Sequence, residues 1–299
     1  MAGGEGLGGG KACATRRGLT WVGMNDERKL QFGYPEFWQE AVHENRGFYA
    51  IAPRLLAAIN GVTCREYSSL RPDQSLILDF AMLAGLGAAE TITLVGNGMG
   101  QGAMKIVRSI LETAINAEYF RKYPDQAQFY LDWHWVETHK FYKYFRKYSP
   151  NQLAKIVPEQ SALHEANYER VKGQFTFTRT NCDGSQKTIE QKTWCKDNLF
   201  DRATKTGLAE WYATVMPQAN QILHGSVGGV LNHIGNDGRI DPPPSHRWGK
   251  EALTAAHGAL IKVIETAAMA LGVEPEPSIE SLLKDYEASW RDGPNSGGQ

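Results

Sequence analysis

The chain is poor in features that would name a chemistry. Its 299 residues include four cysteines, Cys13, Cys64, Cys182 and Cys195, and no two of them form a C-x-x-C pair. That spacing suits neither a zinc site nor a disulfide framework, and it fits a reducing cytoplasm. Neither sign of charge is in excess. A net charge of −1 with 22% charged residues offers no global basic field for nucleic acid and no acidic surplus that would keep the chain unfolded. No fixed-period repeat is present. An uninterrupted apolar run is missing too: the most apolar window, LILDFAMLAGLGAAETITLVG, contains Asp79 and Glu90, each costly in lipid. A buried helix is therefore expected there, with no membrane. The glycine-rich start, MAGGEGLGGGKACATRR, lacks the apolar centre of a signal peptide. Residues 1–33 are expected to be a flexible tail, and 291–299 another.

Helical periodicity dominates what remains. PEFWQEAVHENRGFYAIAPRLLAAIN predicts one helix from Pro35, kinked or ended at Pro53. Further helices are expected at about 72–95, 101–122, 125–148, 151–171, 205–232, 249–271 and 277–289. Between Phe175 and Lys192, β-branched and aromatic residues flank Asp183-Gly184, which predicts a small hairpin or ordered loop within 173–200. Strands do not alternate with helices. The expected class is mostly α: a single helical bundle over 34–290 with a small β-hairpin or loop excursion.

One glycine-rich stretch competes with this reading. TLVGNGMGQGAMKIVRSILETAINAEYF contains Gly98-Met99-Gly100-Gln101-Gly102-Ala103, a G-x-G-x-x-A match to the dinucleotide fingerprint, with Glu118 near the offset of a ribose-binding acid. A Rossmann unit needs parallel strands on both sides of its loop, and this one has helical sequence on both. The glycines are expected to connect two helices, supplying positive φ at a C-cap.

Interest then moves to the helix beyond. Ala103, Ile106, Val107, Ile110, Ala114 and Ala117 form an apolar sector, while Arg108, Glu112 and Tyr119 stack along a line opposite, beside Lys105 and Asn116. An exposed i,i+4 ion pair accounts for Arg108 and Glu112 at a few tenths of a kcal/mol. Alternatively the line faces a polar pocket, where Arg108 binds an anion and Glu112 orients it. A second constellation lies in EWYATVMPQANQILHGSVGG. Leu208, Tyr212, Val215 or Met216, Ala219 and Leu223 make a core stripe, with Asn220 and His224 one turn apart at its edge. A histidine near a helix C-terminus is often only a dipole partner.

The segment GAMKIVRSILETAINAEYFRKYPDQAQFYLDW, followed far downstream by ANQILHGSV, resembles the bacterial family of unknown function DUF5677. The likeness covers about residues 75–235 and rests on Arg108, Glu112, Tyr119 and His224-Gly225. It implies a helical fold and little agreed biochemistry. A remoter resemblance is to the HEPN ribonucleases, small helical domains with an arginine, often followed by asparagine, ahead of a histidine. Asn220 and His224 match the second half of that motif, but Ala219 occupies the arginine position, so the arginine would have to come from elsewhere, such as Arg108. The literal R-x6-H match, Arg239 to His246, spans three prolines and does not fit one helix.

The HEPN resemblance implies metal-independent RNA cleavage, with His224 as base or acid, Arg108 stabilising the phosphorane and Asn220 positioning one or the other. Other chemistry is less complete. HGSVG carries half of a nucleophile elbow around Ser226, without its first glycine or preceding strand. Glu40-Ala41-Val42-His43 is a single E-x-x-H, where a di-iron bundle needs two. His134, Glu137 and His139 fall on different helix faces. HKFYKYFRKY interleaves basic and aromatic residues, as RNA-contacting helices and snorkelling lysines both do. The expectation is therefore a cytoplasmic helical protein without cofactor or metal, its pocket built from Arg108, Glu112, Asn220 and His224 with Lys105, Asn116 and Tyr119. The expected partner is RNA or a small anionic ligand; a non-catalytic binding module and a Ser226–His224 hydrolase are the alternatives. Homo-oligomerisation is left open.

Overall fold

The computed structural model describes residues 33–153, 158–223, 226–227, 234 and 244–291. The helices are α1 (Pro35–Glu44), α2 (Arg46–Thr63), α3 (Pro72–Gly96), α4 (Gly100–Lys122), α5 (Gln126–Tyr148), α6 (Pro150–Leu153), α7 (Pro158–Val171), α8 (Leu199–Thr206), α9 (Ala209–Leu223), α10 (Gly249–Leu271) and α11 (Ile279–Arg291). Strands β1 (Thr176–Thr180) and β2 (Gln186–Glu190) form one antiparallel hairpin. The protein is mostly α with a small hairpin, as its periodicity predicts. Most of each expected tail, residues 1–32 and 292–299, lies outside the described residues.

Helices α3, α4 and α10 form the centre, with α2 against α3 and α10, and α8 and α9 against α4. The core is continuous from Leu55, Ile59 and Ile77 through Val107, Ile110 and Phe120 to Leu253, Leu260 and Ile264. Apolar burial on this scale, at about 25 cal/mol per Å², is the dominant stabilising term. A smaller cluster of Leu111, Ile115, Ala203, Leu208 and Met216 glues α8 and α9 onto the other side of α4. Helix α4 is thus wrapped on nearly every side, and little of its surface is free to present polar side chains.

Several predicted elements divide. The first helix breaks at Asn45, not at Pro53, which sits inside α2. A side chain on Gly47 would collide with the Ser289 backbone of α11, so the chain bends there to let α11 approach. The helix predicted at 205–232 is α9, which begins at Ala209 and is described to Leu223, most of 224–232 lying outside the described residues; a further helix, α8, precedes it where a loop was expected. α8 is started by a reciprocal Asn198–Asp201 capping box, each bond 3.0 Å, and stopped by Gly207 at φ 81°. On α9 the buried stripe is Met216, Ala219 and Ile222; Leu223, expected in it, is exposed.

The glycine stretch is a helix–helix connection. Gly98 has φ 68°, and the Gly98 and Met99 N–H groups return to Val95 and Leu94 carbonyls at 2.9 and 2.8 Å, closing the end of α3. Gly100 opens α4 where a Cβ would collide with the Arg247 carbonyl, so segment 244–249 can lie against the turn. Ser245 N–H bonds the Gly98 carbonyl at 2.9 Å and completes that contact. Glu118, the would-be ribose acid, is buried and fully engaged. Arg121 grips it through two bonds of 2.8 and 2.7 Å, and Thr266 of α10 donates to it at 3.1 Å. Burial alone would raise this carboxyl, but the Arg121 hydrogen bonds and the Lys262 charge outweigh burial and hold it below its ordinary value. Glu118 is a strut between α4 and α10.

Candidate functional site

Three side chains picked from two distant parts of the sequence meet at the seam of α4 and α9. Arg108 Nε donates to Asn220 Oδ1 at 2.6 Å, and its Nη1 donates to Glu112 Oε2 at 3.3 Å. The bond to Asn220 spans 112 positions. Burial of Met216, Ala219 and Ile222 against α4 fixes the rotation of α9, and that rotation turns Asn220 towards Arg108. The Arg108 side chain is 29% exposed and Glu112 38%, so their ion pair stabilises the fold by at most about 1 kcal/mol. The arrangement's consequence is orientation. With Nε and Nη1 tied back, the Nη2 corner of the guanidinium has no partner among the described residues, and it remains a charged donor for an anion.

The other expected residues separate from this trio. Lys105, one turn before Arg108, is exposed. Tyr119 is a buried strut: its hydroxyl donates to Asp197 Oδ2 at 2.7 Å, and Lys205 Nζ donates to the same oxygen at 2.5 Å. Burial first, then the Asp197 carboxylate, pushes the Tyr119 phenol far above its ordinary range, which fixes it as a proton donor. The Lys205 hydrogen bond in turn holds Asp197 below the usual carboxylate range. Asn116 is buried between Glu112 and Tyr119 along α4, and its Oδ1 has no hydrogen-bond partner among the described residues. His224 and Gly225 lie outside the described residues; α9 is described to Leu223, and His224 is the next residue in the chain, four positions after Asn220. Ser226 is half-buried, and its hydroxyl donates to the Gln221 carbonyl at 3.1 Å in the manner of a helix-end cap.

Sequence reading missed Arg202. It is 6% exposed, its guanidinium lies 4.8 Å over the Trp194 ring, and Nη1 reaches Cys195 Sγ at 3.5 Å. Its Nε has no partner, and no carboxylate lies within ion-pair distance among the described residues. A buried guanidinium stays charged, and the Asp197 carboxylate, which Arg202 helps hold below its ordinary range through space, is its nearby counter-charge. Tyr130 lies within electrostatic reach of both Arg202 and Glu112. Burial raises the Tyr130 phenol, the Glu137 and Glu112 charges add to that, and Arg202 opposes it. The available signal was faint: Leu199, Ala203 and Thr206 mark an inward stripe on α8, and Arg202 adjoins it.

Of the half-motifs for metal, His139 stacks on Tyr168 at 3.6 Å and approaches Glu165, while His134 is exposed. Among the described residues no three His, Cys, Asp or Glu side chains are grouped to hold a metal ion.

No curated protein and no solved structure matches the chain significantly. A family model does, over residues 79–241, a span that holds α4, the Arg202 corner, Asn220 and His224. The chain belongs to that group, a family of unknown function (DUF5677).

Proposed function

We propose that the α4–α9 seam is the phosphate-recognising centre of a HEPN-like RNA-processing protein. One observation carries this reading: Arg108 donates to Asn220 at 2.6 Å, which supplies from a neighbouring helix the arginine that Ala219 displaces from the local motif. In the reaction His224 takes the proton from a 2′-hydroxyl or returns one to the leaving 5′-oxygen. Arg108 bonds the phosphorane oxygens as they gain charge, and Asn220 and Glu112 hold its guanidinium in place. The 2′-hydroxyl is the nucleophile, so atoms and charge balance without a metal. Such a protein would work in the reducing cytoplasm.

The test is cleavage of single-stranded RNA by purified protein in the presence of a chelator. Wild-type protein is expected to cut. His224→Ala is expected to abolish cutting with an unchanged circular dichroism spectrum, and Arg108→Ala to slow it by about 10²–10³-fold. Cutting that survives His224→Ala overturns the reading. Absence of cutting, with phosphate raising the melting temperature of wild type and not of Arg108→Ala, moves the seam to a non-catalytic anion site.

A further inference from the structure

Charge that cancels over the whole chain is segregated in space. Residues 137–196 carry eleven Lys and Arg against six Asp and Glu, a net +5, which leaves −6 for the rest of a chain whose total is −1. This stretch stands away from the core. Helix α5 buries Ala127, Trp133 and Val136, and from Glu137 to Thr193 only Val171 and Phe175 are buried among the described residues.

Two elements of this arm show the same surface chemistry. On α5, Phe141, Tyr144 and Tyr148 are 59%, 66% and 67% exposed. Their i, i+3, i+7 spacing aligns them on one face, opposite the face on which His139 and Tyr142 pack against α7. Tyr144 and Tyr148 lie nearly parallel, 6.3 Å apart, and Lys147 Nζ sits 4.9 Å from the Tyr148 ring. Lys143 and Lys147 flank the stripe, both exposed. On the hairpin, Phe177 and Arg179 share a face with their partners Ile189 and Lys187. Arg179 stands directly opposite Lys187, a like-charge pair that destabilises an isolated ribbon. Lys140 joins the elements, with Nζ 3.3 Å from Glu190 on β2.

Neither feature helps the chain fold. Three large aromatics left in water forgo burial, and the Arg179–Lys187 pair costs energy unless an anion lies across it. Both are satisfied by a polyanion that offers ring faces. A duplex hides its base faces in its own stack; an unpaired strand presents them to tyrosine and phenylalanine while its phosphates meet the lysines. Lysine is depleted at the centre of protein–protein interfaces, which disfavours a protein partner here.

We propose that the exposed half of α5 and the β1–β2 hairpin form a binding surface for single-stranded RNA. The choice of RNA over DNA rests on the reading of the Arg108 seam; the stacking and charge argument stands on the arm alone.

Fluorescence anisotropy of the full chain with a labelled, fully 2′-O-methylated RNA oligonucleotide tests this, because that strand lacks the attacking hydroxyl and reports binding whether or not the protein cuts. The expected result is salt-dependent binding weakened about tenfold or more by Tyr144→Ala with Tyr148→Ala. The matching phenylalanine pair is expected to restore it. Lys143→Glu with Lys147→Glu should flatten the log–log salt slope by about 1.4, at about 0.7 per phosphate contact. All these positions are exposed, and an unchanged melting temperature verifies the fold. Binding with no cleavage by wild type on ordinary RNA leaves this inference standing and removes only the ribonuclease reading. Unchanged affinity in the tyrosine variant, equal affinity for duplex, tighter binding of single-stranded DNA, or binding only to vesicles of anionic lipid overturns it. So does dissociation of a dimer by the same substitutions in light scattering.

Discussion

Arg108 shows why an interaction of small energetic value can carry the most information. Its ion pair with Glu112 is partly open to water and worth little to stability, yet the two bonds leave one corner of the guanidinium without a partner among the described residues. His257 is the reverse case, a residue whose meaning is entirely energetic. It is buried on α10 beside Phe48, neither ring nitrogen has a hydrogen-bond partner among the described residues, and burial pulls its pKa down to about 4 from an ordinary 6.5. As pH falls below 6.5 the unfolded chain takes this proton and the folded one does not. Stability present above pH 6.5 is therefore lost progressively down to about pH 4, with a slope of up to about 1.4 kcal/mol per pH unit, and no further below that. Urea denaturation of His257→Leu should show a higher midpoint at pH 7 and a flatter profile between pH 6.5 and 4. A profile parallel to that of wild type would remove His257 from the account of acid sensitivity.

Among elements, the α3–α4 connection is the most constrained. Gly100 is placed where any side chain meets the Arg247 carbonyl, so Gly100→Ala is expected to cost about 1–3 kcal/mol in chemical denaturation. A cost within 0.5 kcal/mol would mean that segment 244–249 yields freely. The same stretch marks the boundary of what a sequence declares. Its glycines are visible in the chain, and the helical sequence on both sides correctly argues against a nucleotide loop. What the glycines are for is not visible, because the Arg247 carbonyl arrives from well over a hundred positions away. Periodicity predicted α3, α4, α5 and α10 to within a residue or two, since each has a long buried face. It missed the break at Asn45, where the apolar pattern runs on unbroken and α11 causes the bend. It also missed Gly207, which ends α8 inside a helix-compatible stretch. Local chemistry sets helices; the contacts that interrupt them are tertiary.

Seen whole, the molecule has a packed helical body and an arm of opposite charge. Periodicity alone gives Arg108 and Asn220 as two separate constellations, because pairing across 112 positions leaves no local trace; only the family resemblance placed them in one expected pocket. Tyr119 and Asn116 were grouped with Arg108 by helical spacing, and spacing could not show that α8 and the 193–198 segment bury them. Arg202 escaped notice because a charged residue beside an apolar stripe normally reads as solvent-facing. The central claim, that Arg108 and Asn220 act as one unit at a phosphate, is tested most directly by a double-mutant cycle on RNA cleavage with Arg108→Ala, Asn220→Ala and the pair. The account predicts that the double variant is little slower than Arg108→Ala alone. Two losses that simply multiply, leaving the double variant slower by the product of the single effects, would contradict it.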